Sequence, residues 1–225
     1  MNNVFFSDPF LDPIFRSLIV AIASSVLCLI IGTLLGHAFF HRRFKGKLLI
    51  ETVLMLPLVL PPSVVGFGLL VIFGRQSWVG KLLEWVLNQP IIFTIWAAMI
   101  TAFVVAFPLM FQTVKNGFSA IDPEVREAAS IDGAGWCQLF IHIDLPLAKQ
   151  AIITGALLAF ARSIGEFGAT LMIAGNIPGK TQTMATAIYI AVETNHIALA
   201  WGWVSCTIIF SFILLLFVYT LRKKW

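Results

Sequence analysis

Side chains able to do chemistry are few in this chain. Arg162 and Glu166 lie four residues apart inside the apolar run 147–174. On a helix that spacing puts both on one face. A charge near mid-bilayer costs about 3 kcal/mol on insertion scales, so pairing them is the least costly arrangement. Two roles fit: a structural pair turned into a helical bundle, or a pathway-lining pair that contributes to gating or anion passage. Gly165 and Gly168 flank Glu166 and allow a bent or closely packed helix there. The stretch Gly175-Asn176-Ile177-Pro178-Gly179-Lys180-Thr181 has three residues between its glycines. A phosphate-binding loop needs four, with a strand before it, so no nucleotide site is expected. His37, His41, His142 and His196 are scattered, with no acidic residue at metal-ligand spacing, and no serine sits in a nucleophile elbow. The chain is therefore read as a non-enzyme with no metal and no cofactor of its own, and His142 as a solvated or interface histidine. Cys28 and Cys206 fall in apolar runs and Cys137 in a polar passage, which suggests packing residues rather than a disulfide framework.

The elements around these residues are those of a membrane protein. Apolar residues make up 59% of the 225-residue chain and charged ones 12%, and the mean hydropathy is +0.93. A soluble domain carries about 25% charged residues. About 20 apolar residues cross the hydrocarbon core. Five stretches qualify: about 15–39, 48–73, 91–114, 147–174 and 199–221. A sixth apolar patch, 184–192, is too short and reads as interfacial or re-entrant. The N-terminal segment lacks a basic region before its apolar run, so it reads as a retained span rather than a cleavable signal.

Charge distribution sets the expected orientation. Arg42, Arg43, Lys45, Lys47, Lys115, Arg126, Lys149, Arg222, Lys223 and Lys224 make ten basic residues in the linkers 41–47 and 115–149 and in the tail. The opposite loops carry three, Arg75, Lys81 and Lys180. The N-terminus is expected outside, and the C-terminus and 115–146 in the cytoplasm. Trp78, Trp85, Trp96, Trp201 and Trp203 fall near the inferred outer interface, as anchoring aromatic belts do.

The spans are not plain anchors. Pro57, Pro61 and Pro62 interrupt the second, followed by Ser63, Gly66 and Gly68, and Pro108 lies in the third. Proline removes backbone hydrogen bonds, and such breaks are tolerated at membrane depth only against protein or a water-filled cavity, which points to a pathway. Gly32 and Gly36 have the small-xxx-small spacing of close helix contact, or of chance.

The longest polar passage is Ile121–Pro146. Asp122-Pro123-Glu124 starts a short helix, Gly133 stops it, Gly135 releases a second, and Pro146 enters the next apolar run. A short helical hairpin outside the bilayer needs a partner to hold it. The passage resembles the EAA loop of bacterial binding-protein-dependent ABC importer permeases. Glu127-Ala128-Ala129 is followed after three residues by Gly133, after nine more by Ile143, and after one by Leu145-Pro146. The resemblance implies that Glu127, Ala128, Ala129, Asp132, Gly133, Ile143, Leu145 and Pro146 form a coupling segment seated on a separate ATPase subunit.

Within that family, Leu56–Gly66, Gly165–Thr170 and Ala174–Thr183 are most similar to the molybdate-transporter permeases, while sulfate permeases share Gly165–Gly168 and Ala174–Asn176. The resemblance implies an all-α, five-span permease of the type I ABC importer kind in a bacterial inner membrane. Its implied partners are a second copy of itself, two ATPase subunits and an outer oxyanion-binding protein, with no nucleic acid. The implied activity is alternating-access import of molybdate or tungstate. Pro57, Pro61, Pro62, Ser63, Gly66, Arg162, Glu166 and Gly168 are the pathway candidates. A sulfate or thiosulfate permease is the neighbouring reading. An ion-coupled secondary transporter would call for more intramembrane acids than Glu166 and leaves the Glu127–Pro146 pattern unexplained.

Overall fold

The computed structural model describes residues 9–42 and 44–223, so Arg43 and Lys224, used in the charge reading, lie outside the described residues. Every regular element among the described residues is helical. Helix α1 (Asp12–His41) carries Pro13 in its first turn, where a missing N–H would be unpaired anyway. Then come α2 (Lys47–Val59), α3 (Pro62–Phe73), α4 (Trp78–Leu87) and α5 (Ile95–Ser119). The polar passage forms α6 (Pro123–Ile131), α7 (Trp136–Leu139), a π-helical turn (Phe140–Asp144) and α8 (Leu145–Leu147). Helices α9 (Lys149–Ile164), α10 (Gly168–Ala174), α11 (Met184–Glu193) and α12 (Ile197–Lys223) complete the chain.

Three of these, α1, α5 and α12, are uninterrupted, long and apolar enough to cross a membrane. The count reaches five only if two bent pairs each make one span. The stretch 48–73, expected as one span, is two helices that meet at 118°. Pro61 and Pro62 have no N–H to donate to the carbonyls of Pro57 and Leu58, so the ladder cannot continue and the chain changes direction. The stretch 147–174 is likewise divided: α9 ends at Ile164, Gly165–Phe167 is non-helical, and α10 begins at Gly168. The segment Trp136–Leu147 joins α9 at 70°. Helix α11, at 1.5 Å per residue, is about 15 Å long and cannot cross alone.

The centre of the bundle is α1 against α5 and α9. Helices α1 and α5 run parallel, with the bare faces of Gly32 and Gly36 against Met110 and Val114. A Cβ on Gly32 would sit 2.6 Å from the Met110 Cγ, so the glycine spacing marks a real contact. Gly155 of α9 meets Met110 from the other side, and Ser24 and Ser163 share a buried hydrogen bond of 3.0 Å. Lys115 on α5 reaches Glu51 on α2 at 2.8 Å. Outward faces are apolar: Ile19, Ile22, Val26, Ile30 and Leu34 on α1, and Ile208, Ile209, Phe212, Ile213 and Leu216 on α12 are all exposed. Water would penalise such faces and hydrocarbon does not.

Candidate functional site

Two sets of residues stand out, one at the α6 end of the bundle and one at the breaks in the apolar helices. Asp122 caps α6 by accepting from the Glu124 amide at 3.0 Å, as an N-cap aspartate should. The helix ends as the amide of Ala134 bonds the Ala129 carbonyl at 3.1 Å, with Gly133 at φ +89°, a backbone that side-chain-bearing residues rarely adopt. Gln138 then accepts from the Gly135 amide at 2.8 Å and opens α7. No residue of α6 is buried. Glu127, Ala128, Asp132 and Gly133 are exposed, Ala129 is half-buried, and Ile131 is 86% exposed. Ile143 and Leu145 are half-buried and Pro146 is exposed. Nine residues of helix are marginal in water without packing.

Beneath this helix lies a cluster that spacing arguments do not reveal. Asp144, 1% exposed, accepts a hydrogen bond from His37 Nε2 at 2.7 Å. His41 Nε2 lies 3.5 Å away and the Arg126 guanidinium 3.6 Å away, and Arg126 also contacts the His41 ring. His37 is packed edge-on by Phe118 and Trp136, with Phe140 tilted against it. The expectation that no acidic residue approaches the histidines at ligand distance is thereby corrected. His37, His41 and Asp144 offer three ligand atoms within 4.8 Å of one another. Helix α1 places the two histidines one turn apart, and the third member comes from 107 residues away. The available signal was one acid inside the apolar run Phe140–Pro146.

At the breaks, Arg162 donates to Glu166 Oε2 at 2.8 Å, so the pair forms, but not along one continuous helix. Glu166 sits in the non-helical link, 4% exposed, and its other oxygen accepts from the Ala169 amide at 2.9 Å. It thus neutralises Arg162 and caps the start of α10 together. The two breaks touch: a Cβ on Gly168 would lie 3.1 Å from the Pro62 Cβ, and one on Gly66 2.8 Å from the Ala169 Cα. The structure therefore brings Pro62, Gly66, Glu166 and Gly168 together, with Arg162 attached through Glu166. Pro57 lies within α2, one helical turn before the break, and Pro61, Pro62 and Ser63 are exposed at the break itself.

The loop 175–181 spends its amides internally. Those of Lys180, Thr181 and Gln182 converge on the Ile177 carbonyl at 2.9–3.1 Å, and Thr181 Oγ1 accepts from the Ile177 amide at 3.0 Å. Arg16 holds the carbonyls of Lys180, at 2.9 Å, and Gly179. No phosphate cradle exists there. Two other expectations change. Trp203 is buried, stacks on Phe10 and donates to its carbonyl at 2.9 Å, so it is a core residue rather than an interfacial anchor. Cys137 is exposed, where a packing residue was expected, unlike buried Cys28. His142 is exposed, as read from the sequence.

Comparison with known proteins places the chain among relatives. Residues 28–225 match the family described as binding-protein-dependent transport system inner membrane component. The chain is 52% identical over 209 residues to YvgM of Bacillus subtilis (strain 168), which bears the name of a molybdenum transport system permease protein; the match covers 93% of this chain and 92% of that one. It is 39% identical over 189 residues to the molybdenum transport system permease protein ModB of Escherichia coli (strain K12), covering 84% and 82%. A sulfate transport system permease protein of Prototheca wickerhamii is more distant, at 32% over 174 residues and 68% of its length. Among solved structures, the fold matches an inward-facing form of the MetNI methionine ABC transporter with TM-score 0.71 and 15% identity, covering 100% of this chain and 99% of that one. It also matches a bacterial alginate ABC transporter in complex with a pentasaccharide-bound periplasmic protein, with TM-score 0.70 and 18% identity, covering 97% and 80%.

Proposed function

The chain belongs to the binding-protein-dependent transport system inner membrane components, and from that premise we propose that it is the permease subunit of an ABC importer for molybdate or the similar oxyanion tungstate. It is a multi-pass protein of a bacterial inner membrane, is not itself an enzyme, and works with a separate ATPase and a periplasmic binding protein. The observation that carries the cargo is the identity to molybdenum permeases over nearly the full length, well above that to sulfate permeases.

Our reading of the assembly is two copies of this chain on two ATPase subunits. The N-terminus is outside, the C-terminus is inside, and α2 with α3 makes the second span. An exposed, unpacked α6 supports the contact with the ATPase. Helix α2 has no buried residue, and the break after it leaves carbonyls without donors at an exposed surface. Such a surface at membrane depth requires protein or water, which a second copy and a pathway between the two supply. ATP closes the ATPase dimer, α6 carries that displacement into the bundle, and the spans open outward to accept the anion. Hydrolysis resets them inward. An equilibrium of this kind moves only as far as each ligand prefers one state. High affinity therefore belongs to the binding protein, and the membrane route holds the anion weakly.

The test is uptake of radiolabelled molybdate by vesicles that contain the permease, its ATPase and its binding protein, with excess unlabelled tungstate or sulfate. Tungstate is expected to compete at equimolar concentrations. Sulfate is expected to need at least a hundredfold more, and competition by equimolar sulfate would overturn the assignment of cargo.

A further inference from the structure

The cluster around Asp144 ties α6, which buries no residue, to α1 and the segment leading into α9, which already pack on each other. His37 and His41 belong to the end of α1, Asp144 to the π-helical turn before α9, and Arg126 to α6. Helix α6 contributes nothing to the apolar core. A cavity of about 390 Å³, lined among others by His41, Asp122, Arg126, Glu127, Ser130 and Asp144, separates it from the bundle. Arg126 crosses that gap. It is one fifth exposed, whereas the carboxylate it meets is 2% exposed at its side chain. A pairing this deep is screened little by water or salt, unlike an ion pair on the surface.

We propose that Asp144 is the positioning residue through which displacement of α6 reaches α1 and α9. Its Oδ2 meets Arg126, His37 and His41 alike, so the three elements move as one body during transport. This rests on the reading of α6 as the contact for the ATPase. The same atoms do not make a metal centre. Arg126 already supplies the cation, and a divalent ion would bring a second positive charge to within bonding distance of one carboxylate. Breaking the cluster therefore weakens transmission rather than removing a ligand. Asp144→Asn keeps the shape and a hydrogen bond to His37 but drops the charge that holds Arg126.

The experiment measures molybdate imported per ATP hydrolysed by the reconstituted complex. Asp144→Asn is expected to assemble with the ATPase and to hydrolyse ATP, while import per ATP falls at least fivefold. In a Cys137→Ser background, His41→Cys with Arg126→Cys is expected to show the same loss. A short bifunctional thiol cross-linker between the two positions is expected to restore the ratio to within twofold of the parent, because it replaces the tie. A merely structural role would not produce that rescue. Unchanged import per ATP in Asp144→Asn, failed rescue in a cross-linked complex, or assembly lost with the ratio intact would each overturn the proposal. So would tight Zn²⁺ binding to the parent complex that disappears with His41→Ala. A parent complex that neither imports the anion nor answers its binding protein would instead sink the transport reading itself.

Discussion

Arg162 and Glu166 show how far side-chain identity alone reaches. Two opposite charges four apart in an apolar run predicted a pair, and the pair is present at 2.8 Å. What spacing could not show is that Gly165 ends the helix between them, so Glu166 also serves the amide of Ala169. Arg162→Ala leaves a buried carboxylate without its counter-ion, a loss of about 3 kcal/mol for buried pairs. Uptake is expected to fall at least tenfold. The double variant with Glu166→Gln is expected to recover membrane levels of the complex but not uptake, and both are readable by blotting and radiolabel counting. Full uptake by Arg162→Ala would show the pair to be dispensable. Gly133 is a different kind of residue, set by backbone. At φ +89° a branched side chain costs about 1–2 kcal/mol. Gly133→Val should leave the chain inserted and reduce import more than ATP hydrolysis, whereas normal import would remove the turn from the coupling reading. Asp144 was illegible for a simpler reason. Its histidine partners lie more than a hundred residues away, and periodicity carries no information about such encounters.

At the scale of elements, continuous apolar runs were readable and their interruptions only partly so. The runs behind α1, α5 and α12 became single helices within a few residues of their expected ends. The prolines predicted a break after α2, but a covalent argument about missing donors says nothing of the angle, which packing of α3 on α10 sets through Gly66 and Gly168. The break after α9 was less legible still, since a single glycine is tolerated inside many membrane helices. Replacing Pro61 and Pro62 together by Ala returns both donors and allows a straight helix. Such a chain should insert and reach normal membrane levels, yet import at under a tenth of the parental rate. Parental import would mean that the bend plays no part in the route.

Across the whole molecule, the burial pattern divides the chain by environment. The inner faces of α1, α5 and α9 are closed by small residues and a buried serine pair, their outer faces suit hydrocarbon, α3 buries Val65, Gly66 and Leu69 against the bundle, and α2 and α6 bury no residue. Composition alone predicted a membrane protein. It could not say which exposed faces meet lipid and which meet protein, because a Leu on either kind of face has the same letter.

Helix α6 also bears on the life of the protein before it works. Ile131 and Trp136 are exposed in the isolated chain, and on the proposed reading of α6 they stay so until an ATPase subunit covers them. Exposed apolar side chains on a weakly held helix are what chaperones and proteases bind, so a copy expressed without its ATPase is expected to decay faster than the complex in a pulse-chase experiment, and equal half-lives would refute this. On that expectation the abundance of this subunit follows its partner through survival rather than synthesis.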